Sequence, residues 1–311
     1  MFSIIIVIYK IFVNLRFWYP RIFAINIFNY RSADVVGDIL VENINSILLS
    51  QLRWTLTAIL LLGLYFQRIR NNFKLIKKDF RNIFFLAVFG QVLFSLCLYI
   101  GLKSTQPINA AIYLSATPAL VLFLNRFVFK DFISRLNIVG VILSSFGVLY
   151  LVLNGKITEL SQLSKINTGD IWAMASAISW AFYCSFLRIK NKLISGNSFV
   201  MISAVIAAII LVPIAGYEVI SKSSTVLTFL PTLGNIMGIL FLVIFSSWLS
   251  YLFWSKGIAA IGATRGEIFT HLVPLSAAIF SILFLNQQMH SYHYISAIFI
   301  VLGIILCSRK N

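Results

Sequence analysis

Two places in the sequence set ionisable side chains inside otherwise apolar runs. Arg53 lies in Leu52-Arg53-Trp54, within the stretch 44–66. A basic side chain at the centre of a membrane helix costs about 2.5–3.5 kcal/mol on insertion scales, so Arg53 must face protein or water. It could anchor a carboxylate or phosphate, serve as a structural hydrogen-bond hub, or snorkel toward the periplasmic surface. Farther along, Glu267, His271, Pro274, Ala278 and Ser281 recur at helical spacing and share one face. An acid and an imidazole one turn apart could share and relay a proton, because imidazole changes charge near neutral pH. Plainer readings stand beside this one. Thr264-Arg265-Gly266-Glu267 has the spacing of a helix capping box, and His271 could be a neutral side chain bonded to another helix.

Further residues could contact a small organic molecule: Gln91, Tyr99 and Tyr113 as polar groups, and Trp180, Tyr183, Trp248 and Tyr251 as walls with an apolar face and a polar edge. Trp254 reads either as a wall or as an anchor at the membrane interface. His290 and His293 are three apart with no carboxylate or cysteine nearby, so they read as a solvated turn and no metal site is expected. No P-loop occurs, so ATP is not the direct energy source, and no cofactor is expected.

The elements that must position these groups are membrane helices. Of 311 residues, 60% are hydrophobic and 11% charged, against about 45–50% and about 25% in soluble domains. A span takes about 20 residues, which leaves no room for a soluble enzyme domain. Nine apolar segments are clear: α1 (44–66), α2 (82–102), α3 (106–129), α4 (136–153), α5 (170–187), α6 (199–220), α7 (235–260), α8 (264–285) and α9 (292–307). Residues 2–28 are apolar overall but carry Lys10, Arg16, Pro20 and Arg21, and they form a weakly written tenth span ahead of the others. The start lacks the basic region and cleavage site of a signal peptide. Cys97, Cys184 and Cys307 all fall in apolar runs and read as small core residues.

Charge fixes the orientation. The net charge of +16 would suggest nucleic acid in a soluble protein, but basic residues collect in cytoplasmic loops of membrane proteins, so no nucleic-acid partner is expected. The loops after α1, α3, α5, α7 and α9 hold Arg68 to Arg81, Arg126 to Arg135, Arg188 to Lys192, Lys256 with Arg265, and Arg309 with Lys310. The alternate loops hold only Lys103, Lys156, Lys165 and Lys222. The pattern places the C-terminus in the cytoplasm.

An offset of 156 lays Pro118 on Pro274, Gly101 on Gly257 and Gly147 on Gly303 without a gap. Each matched residue has a backbone role: a proline that frees a carbonyl and kinks its helix, or a glycine that permits close approach. The matches divide the chain into repeats over 1–155 and 166–311, each of five helices. An odd number of spans inverts the second copy relative to the first, the arrangement by which many secondary transporters build two exchangeable states around one midplane site.

The ordered set Leu52-Arg53-Trp54, Ala110-Ala111 with Thr117-Pro118, Gly140 with Gly147, Gly169-Asp170, Ser179-Trp180-Ala181, Gly262-Ala263 with Pro274, and Gly303 resembles the drug/metabolite transporter superfamily, in its ten-helix EamA-like branch, over about residues 40–311. The resemblance implies an all-α integral membrane fold of two inverted five-helix repeats. It implies a central cavity lined mainly by the N-terminal helix, α1–α3 and α5–α8, with α4 and α9 at the periphery. Asp131 and Gln287 stand where the family has Glu, Ser296 replaces a Gly, and the family's first helix is not recognisable in residues 29–43. The implied activity is secondary transport of a small molecule such as an amino acid across the inner membrane, with export favoured and protons a candidate coupling ion. The other classes to weigh are a membrane-embedded enzyme or flippase acting on lipid, and a degenerate member that transports nothing.

Overall fold

A computed structural model describes residues 40, 44–105, 107–156, 167–221, 232–276, 278 and 288–308. The N-terminal span over 2–28 lies outside the described residues, as do Ser281, Gln287, Arg309 and Lys310. Among the described residues the regular structure is entirely helical. Each of the nine apolar segments is helical, within three residues of its expected limits wherever those limits are described, save that α1 runs five residues past 66 to Asn71 and takes Arg68 and Arg70 from the expected loop into its last turn. α1 is Ser46–Asn71, α4 Arg135–Val152, α5 Thr168–Phe186, α6 Gly196–Ser221 and α9 Ser291–Ser308. α2 runs as Phe80–Ala87, a π-helical stretch Val88–Leu93, and Phe94–Leu102. α7 has the same construction: Leu233–Phe241, the π-helical Leu242–Leu249, and Ser250–Ile261. α3 is broken at Ala116 between Pro107–Ser115 and Thr117–Phe127, and α8 begins as Ala263–Glu267 and tightens to a 3-10 stretch Ile268–His271.

Among the described residues, seven helices are long and apolar enough to cross a membrane. α5 falls short in apolarity because it carries Asp170, Ser176, Ser179 and Ser185, all buried. Those side chains serve the bundle rather than the lipid. The Ser176 hydroxyl donates to the Phe94 carbonyl (3.1 Å) and that of Ser179 to the Phe89 carbonyl (2.7 Å), fastening α5 along α2. At its start Asn167 and Asp170 form a reciprocal capping box, and Asp170 also accepts from the Thr105 hydroxyl and, at 3.4 Å, from Asn109 at the head of α3.

Helices in corresponding places of the two halves pack against each other. α4 lies against α9, and α1 against α6. The first pair approaches so closely that a Cβ on Gly140 would stand 2.6 Å from the Gly303 carbonyl, and one on Gly303 2.5 Å from the Gly140 carbonyl. Without a hydrophobic force between helices in lipid, such backbone contact is a main source of association. At the α4 start, Ser134 and Asn137 make a capping box, and Asn137 also donates to the Cys307 carbonyl (2.9 Å) near the end of α9.

On the basic side, Arg188 pairs with both carboxylate oxygens of Asp131 (3.0 and 2.6 Å) and lies 4.4 Å over the Phe129 ring. Both side chains are about a third exposed, where ion pairs contribute under about 1 kcal/mol. Arg188→Gln is therefore expected to shift the thermal unfolding midpoint in detergent only marginally. A loss as large as that of a core truncation would show that the pair joins more than two loops.

Candidate functional site

Between the broken part of α3 and the tightened part of α8 lies a cavity of about 130 Å³, walled by Phe94, Leu98, Trp180 and Trp254 and reaching Glu267 and His271. Pro274 lines it from α8. The two prolines explain the backbone on either side. Pro118 has no N–H for the Leu114 carbonyl, which accepts instead from the Thr117 hydroxyl (2.6 Å). The break at Ala116 precedes Pro118 as the 3-10 turn precedes Pro274.

Glu267 is wholly buried. Its Oε1 accepts from the Trp180 indole N–H (3.1 Å). Oε2 has no hydrogen-bond partner among the described residues, although the Cys184 thiol stands beside the carboxyl. The capping box that Thr264 and Glu267 could have formed does not occur. Gly262, at φ 84°, starts the helix two residues earlier than the box requires, no side chain caps it, and the Thr264 hydroxyl is held by Asn125 of α3 (2.8 Å). A residue with a Cβ is strained at that φ, so the glycine selects the entry that turns Glu267 inward.

His271, 1% exposed, spans three helices. Nε2 is 2.9 Å from the Ser115 carbonyl on α3, and Nδ1 is 2.8 Å from the Ser144 hydroxyl on α4. Ser115 and His271 are 156 residues apart, so the bond joins equivalent positions of the two repeats. A carbonyl only accepts, and Nε2 therefore carries a hydrogen. The Ser144 hydroxyl also lies 2.8 Å from the Gly140 carbonyl. With Nδ1 bare, Ser144 donates to it; with Nδ1 protonated, the ring donates to Ser144 and the hydroxyl hydrogen turns to Gly140. The ring's partners are satisfied in either protonation state.

Beside the cavity is a block of packed rings. Tyr251 meets Trp54 edge-on at 5.2 Å, Trp180 at 5.8 Å and Tyr183 at 5.8 Å, and Trp180 lies 5.7 Å from Trp254. The block closes over the π-helical stretch of α2, where widening slips the hydrogen-bond register and exposes carbonyls. Gly90 receives the Tyr251 hydroxyl, Phe89 receives Ser179, and the Gln91 amide turns its nitrogen to the Leu86 and Ala87 carbonyls, each 3.1 Å away. Gln91 also meets the Ser203 hydroxyl on α6 at 3.1 Å.

Arg53 makes a like connection between α1 and α7. Its Nε donates to Ser247 (2.6 Å), inside the π-helical stretch of α7, and Nη1 donates to the Tyr99 hydroxyl (2.9 Å). Overlaying the two 26-residue helices α1 and α6 from their first residues places Arg53 on Ser203, and the 156-residue offset places Gln91 on Ser247. Arg53 with Ser247 and Ser203 with Gln91 are thus repeat-related contacts.

Of the residues singled out from sequence, Glu267, His271, Trp180 and Pro274 line the cavity, and so does Trp254. Arg53 and Tyr99 form a separate buried contact behind it, Gln91 and Tyr251 brace the π-helical stretch, and the Tyr183 hydroxyl is buried without a partner among the described residues. Tyr113 is half-buried within range of Asp170. Trp248 is half-buried, its indole N–H reaching the side-chain Oδ1 of Asn197 at 3.3 Å. Pro118 is buried at the break in α3. His290 and His293 turn toward each other, with the His290 N–H 3.0 Å from Nδ1 of His293. Sequence reading missed Ser144, which sits on a helix expected at the periphery, and Phe94, one of many aromatics with nothing to distinguish it.

A model of the EamA-like transporter family matches the chain twice, over residues 23–153 and 167–309. "Uncharacterized transporter YyaM" of Bacillus subtilis (strain 168) is 28% identical over 233 residues, 75% of this chain and 74% of that protein. "Uncharacterized transporter YetK" of the same organism is 26% identical over 280 residues, 90% of this chain and 83% of that protein. "Uncharacterized inner membrane transporter YicL" of Salmonella typhimurium is 22% identical, covering 87% of each chain. A solved crystal structure superposes with a TM-score of 0.68 at 14% identity, over 93% of this chain and 96% of the other, a likeness in fold alone. With both halves matched by one family model and apolar helices throughout, the chain is a multi-pass membrane protein that belongs to the EamA-like transporter family.

Proposed function

We propose that the protein is a secondary active transporter that exports a small organic metabolite across the inner membrane by alternating access, with its C-terminus in the cytoplasm. The observation that carries this reading is the cavity where α3 meets α8, bridged by a hydrogen bond between equivalent positions of the two halves. Rocking one half against the other would change the contacts at such a junction first. The two repeats, 1–155 and 166–311, are the moving bodies of this reading.

Counterflow in proteoliposomes tests it. Purified protein should exchange at least one labelled compound from a panel of amines, amino acids, nucleosides and sugar derivatives faster than empty liposomes. No exchange across the panel by folded protein would favour a member that has lost transport.

Proton coupling is part of the proposal, supported by the two-state hydrogen bonding of His271 and by Glu267 one turn away. His271→Ala is expected to flatten the dependence of transport rate on pH. It also leaves the Ser115 carbonyl without its imidazole partner, a loss of about 1–3 kcal/mol, while the Ser144 hydroxyl keeps the Gly140 carbonyl. The wild-type pH dependence in that variant would end the role.

A further inference from the structure

We propose that the cavity selects an organic amine with an apolar body, a monocation whose ammonium pairs with Glu267 while its carbon skeleton lies among Phe94, Trp180 and Trp254. This names the cargo class of the transport reading above and rests on it.

The inference comes from counting donors and acceptors on the cavity wall. Every hydroxyl there gives its hydrogen to its own helix: Ser115 to the Ile112 carbonyl (2.7 Å), Thr117 to Leu114 (2.6 Å) and Thr270 to Glu267 (2.7 Å). The Trp180 indole N–H is taken by Glu267 Oε1 and that of Trp254 by the Cys184 sulfur (3.1 Å). Nε2 of His271 is committed to the Ser115 carbonyl and Nδ1 to Ser144. No lysine or arginine is among the lining residues. Against these spent donors stands one acceptor that no lining residue fills, Oε2 of the wholly buried Glu267, with the Cys184 thiol alone beside the carboxyl.

Such a wall treats the two ends of a zwitterion differently. A guest ammonium supplies the N–H groups that the carboxylate lacks and the charge that compensates its burial. The tryptophan faces add a favourable surface for a cation in a desolvated site. While Glu267 is ionised, a guest carboxylate would find no free donor among the lining residues and would face a like charge, the combination that makes buried charges costly. The discrimination against an amino acid therefore arises from what the wall withholds as much as from what it offers.

A matched series isolates the charge. 2-Phenylethylamine, phenylalanine and 3-phenylpropionate share a ring and chain and differ in their ionic groups. Titration of purified wild-type protein in detergent micelles, followed by calorimetry and by quenching of tryptophan emission, is expected to give saturable binding of the amine at least tenfold tighter than of phenylalanine. No saturable binding is expected for the carboxylate. E267Q should weaken the amine at least tenfold and narrow its advantage over phenylalanine, with monodisperse elution checking its fold; if E267Q does not fold, the wild-type ranking alone decides. Phenylalanine or phenylpropionate binding as tightly as the amine, or no binding of the amine, overturns the assignment. Counterflow with the same ligands separates the two readings. Amine bound but not exchanged defeats transport and keeps the site, whereas exchange of another cargo that the amine does not inhibit keeps transport and defeats the site.

Discussion

Alanine at Gly140 or Gly303 is expected to cost the protein more stability than alanine at any other glycine of α4 or α9. The added methyl at Gly140 would meet the Gly303 carbonyl at 2.6 Å and the Cys307 nitrogen at 2.8 Å; at Gly303 it would meet the Gly140 carbonyl at 2.5 Å. These are backbone atoms, which cannot rotate away, so the helices must separate. Overpacking of this kind costs about 1–3 kcal/mol, and in lipid no hydrophobic force repays the lost contact. The effect should reach the cavity, because a methyl on Gly303 would also stand 2.7 Å from Ser144, the partner of His271. Gly63 and Gly216 provide the contrast. Nothing lies within 4 Å of a Cβ at either, and alanine there should be neutral or stabilise by about 0.5–1 kcal/mol, since glycine is unfavourable within a helix. Thermal unfolding of detergent-solubilised protein, read by monodisperse elution, measures all four. Equal midpoints across the set would show that the α4–α9 contact does not limit stability.

Arg53→Ala should leave folded protein in the membrane and reduce the maximal transport rate at least tenfold. Arg53 joins α1 to α2 through Tyr99 and to α7 through Ser247. A hydrogen bond from a charged donor is worth about 1.5–3 kcal/mol, and about 1.4 kcal/mol corresponds to a factor of ten. Arg53 does not line the cavity, so its loss should lower the maximal rate more than it raises the cargo concentration needed for half-saturation. Arg53→Lys, with one charged nitrogen in place of a planar fork, should recover only part of the rate. Initial counterflow rates against cargo concentration separate the two parameters. A wild-type rate in Arg53→Ala removes the residue from the transport cycle.

The helices were legible because lipid imposes an apolar length, and the repeat was legible because Pro118 and Pro274 sit at equivalent breaks. The site was legible only in part. Glu267 and His271 announce themselves as polar residues in an apolar run, yet the same four letters from Thr264 to Glu267 also spell a capping box, and the choice depends on the backbone angle of Gly262. In α2 and α7, periodicity misleads. A π turn inserts one residue, which rotates everything beyond it by about 100° relative to an unbroken helix. Faces drawn at regular helical spacing across Val88–Leu93 or Leu242–Leu249 are therefore wrong on one side, and neither the pairing of Gln91 with Ser203 nor that of Arg53 with Ser247 could be read from spacing. Ser144 was hidden for another reason: its role depends on a partner far along the chain, in the other repeat.

The matched π turns also carry a record of ancestry. Moved by the 156-residue offset, Val88–Leu93 falls inside Leu242–Leu249. One insertion in a single ancestral half, followed by tandem duplication, accounts for both extra residues with one event. The widened turn is then older than the chain's second half, a feature that both halves inherited with their fold.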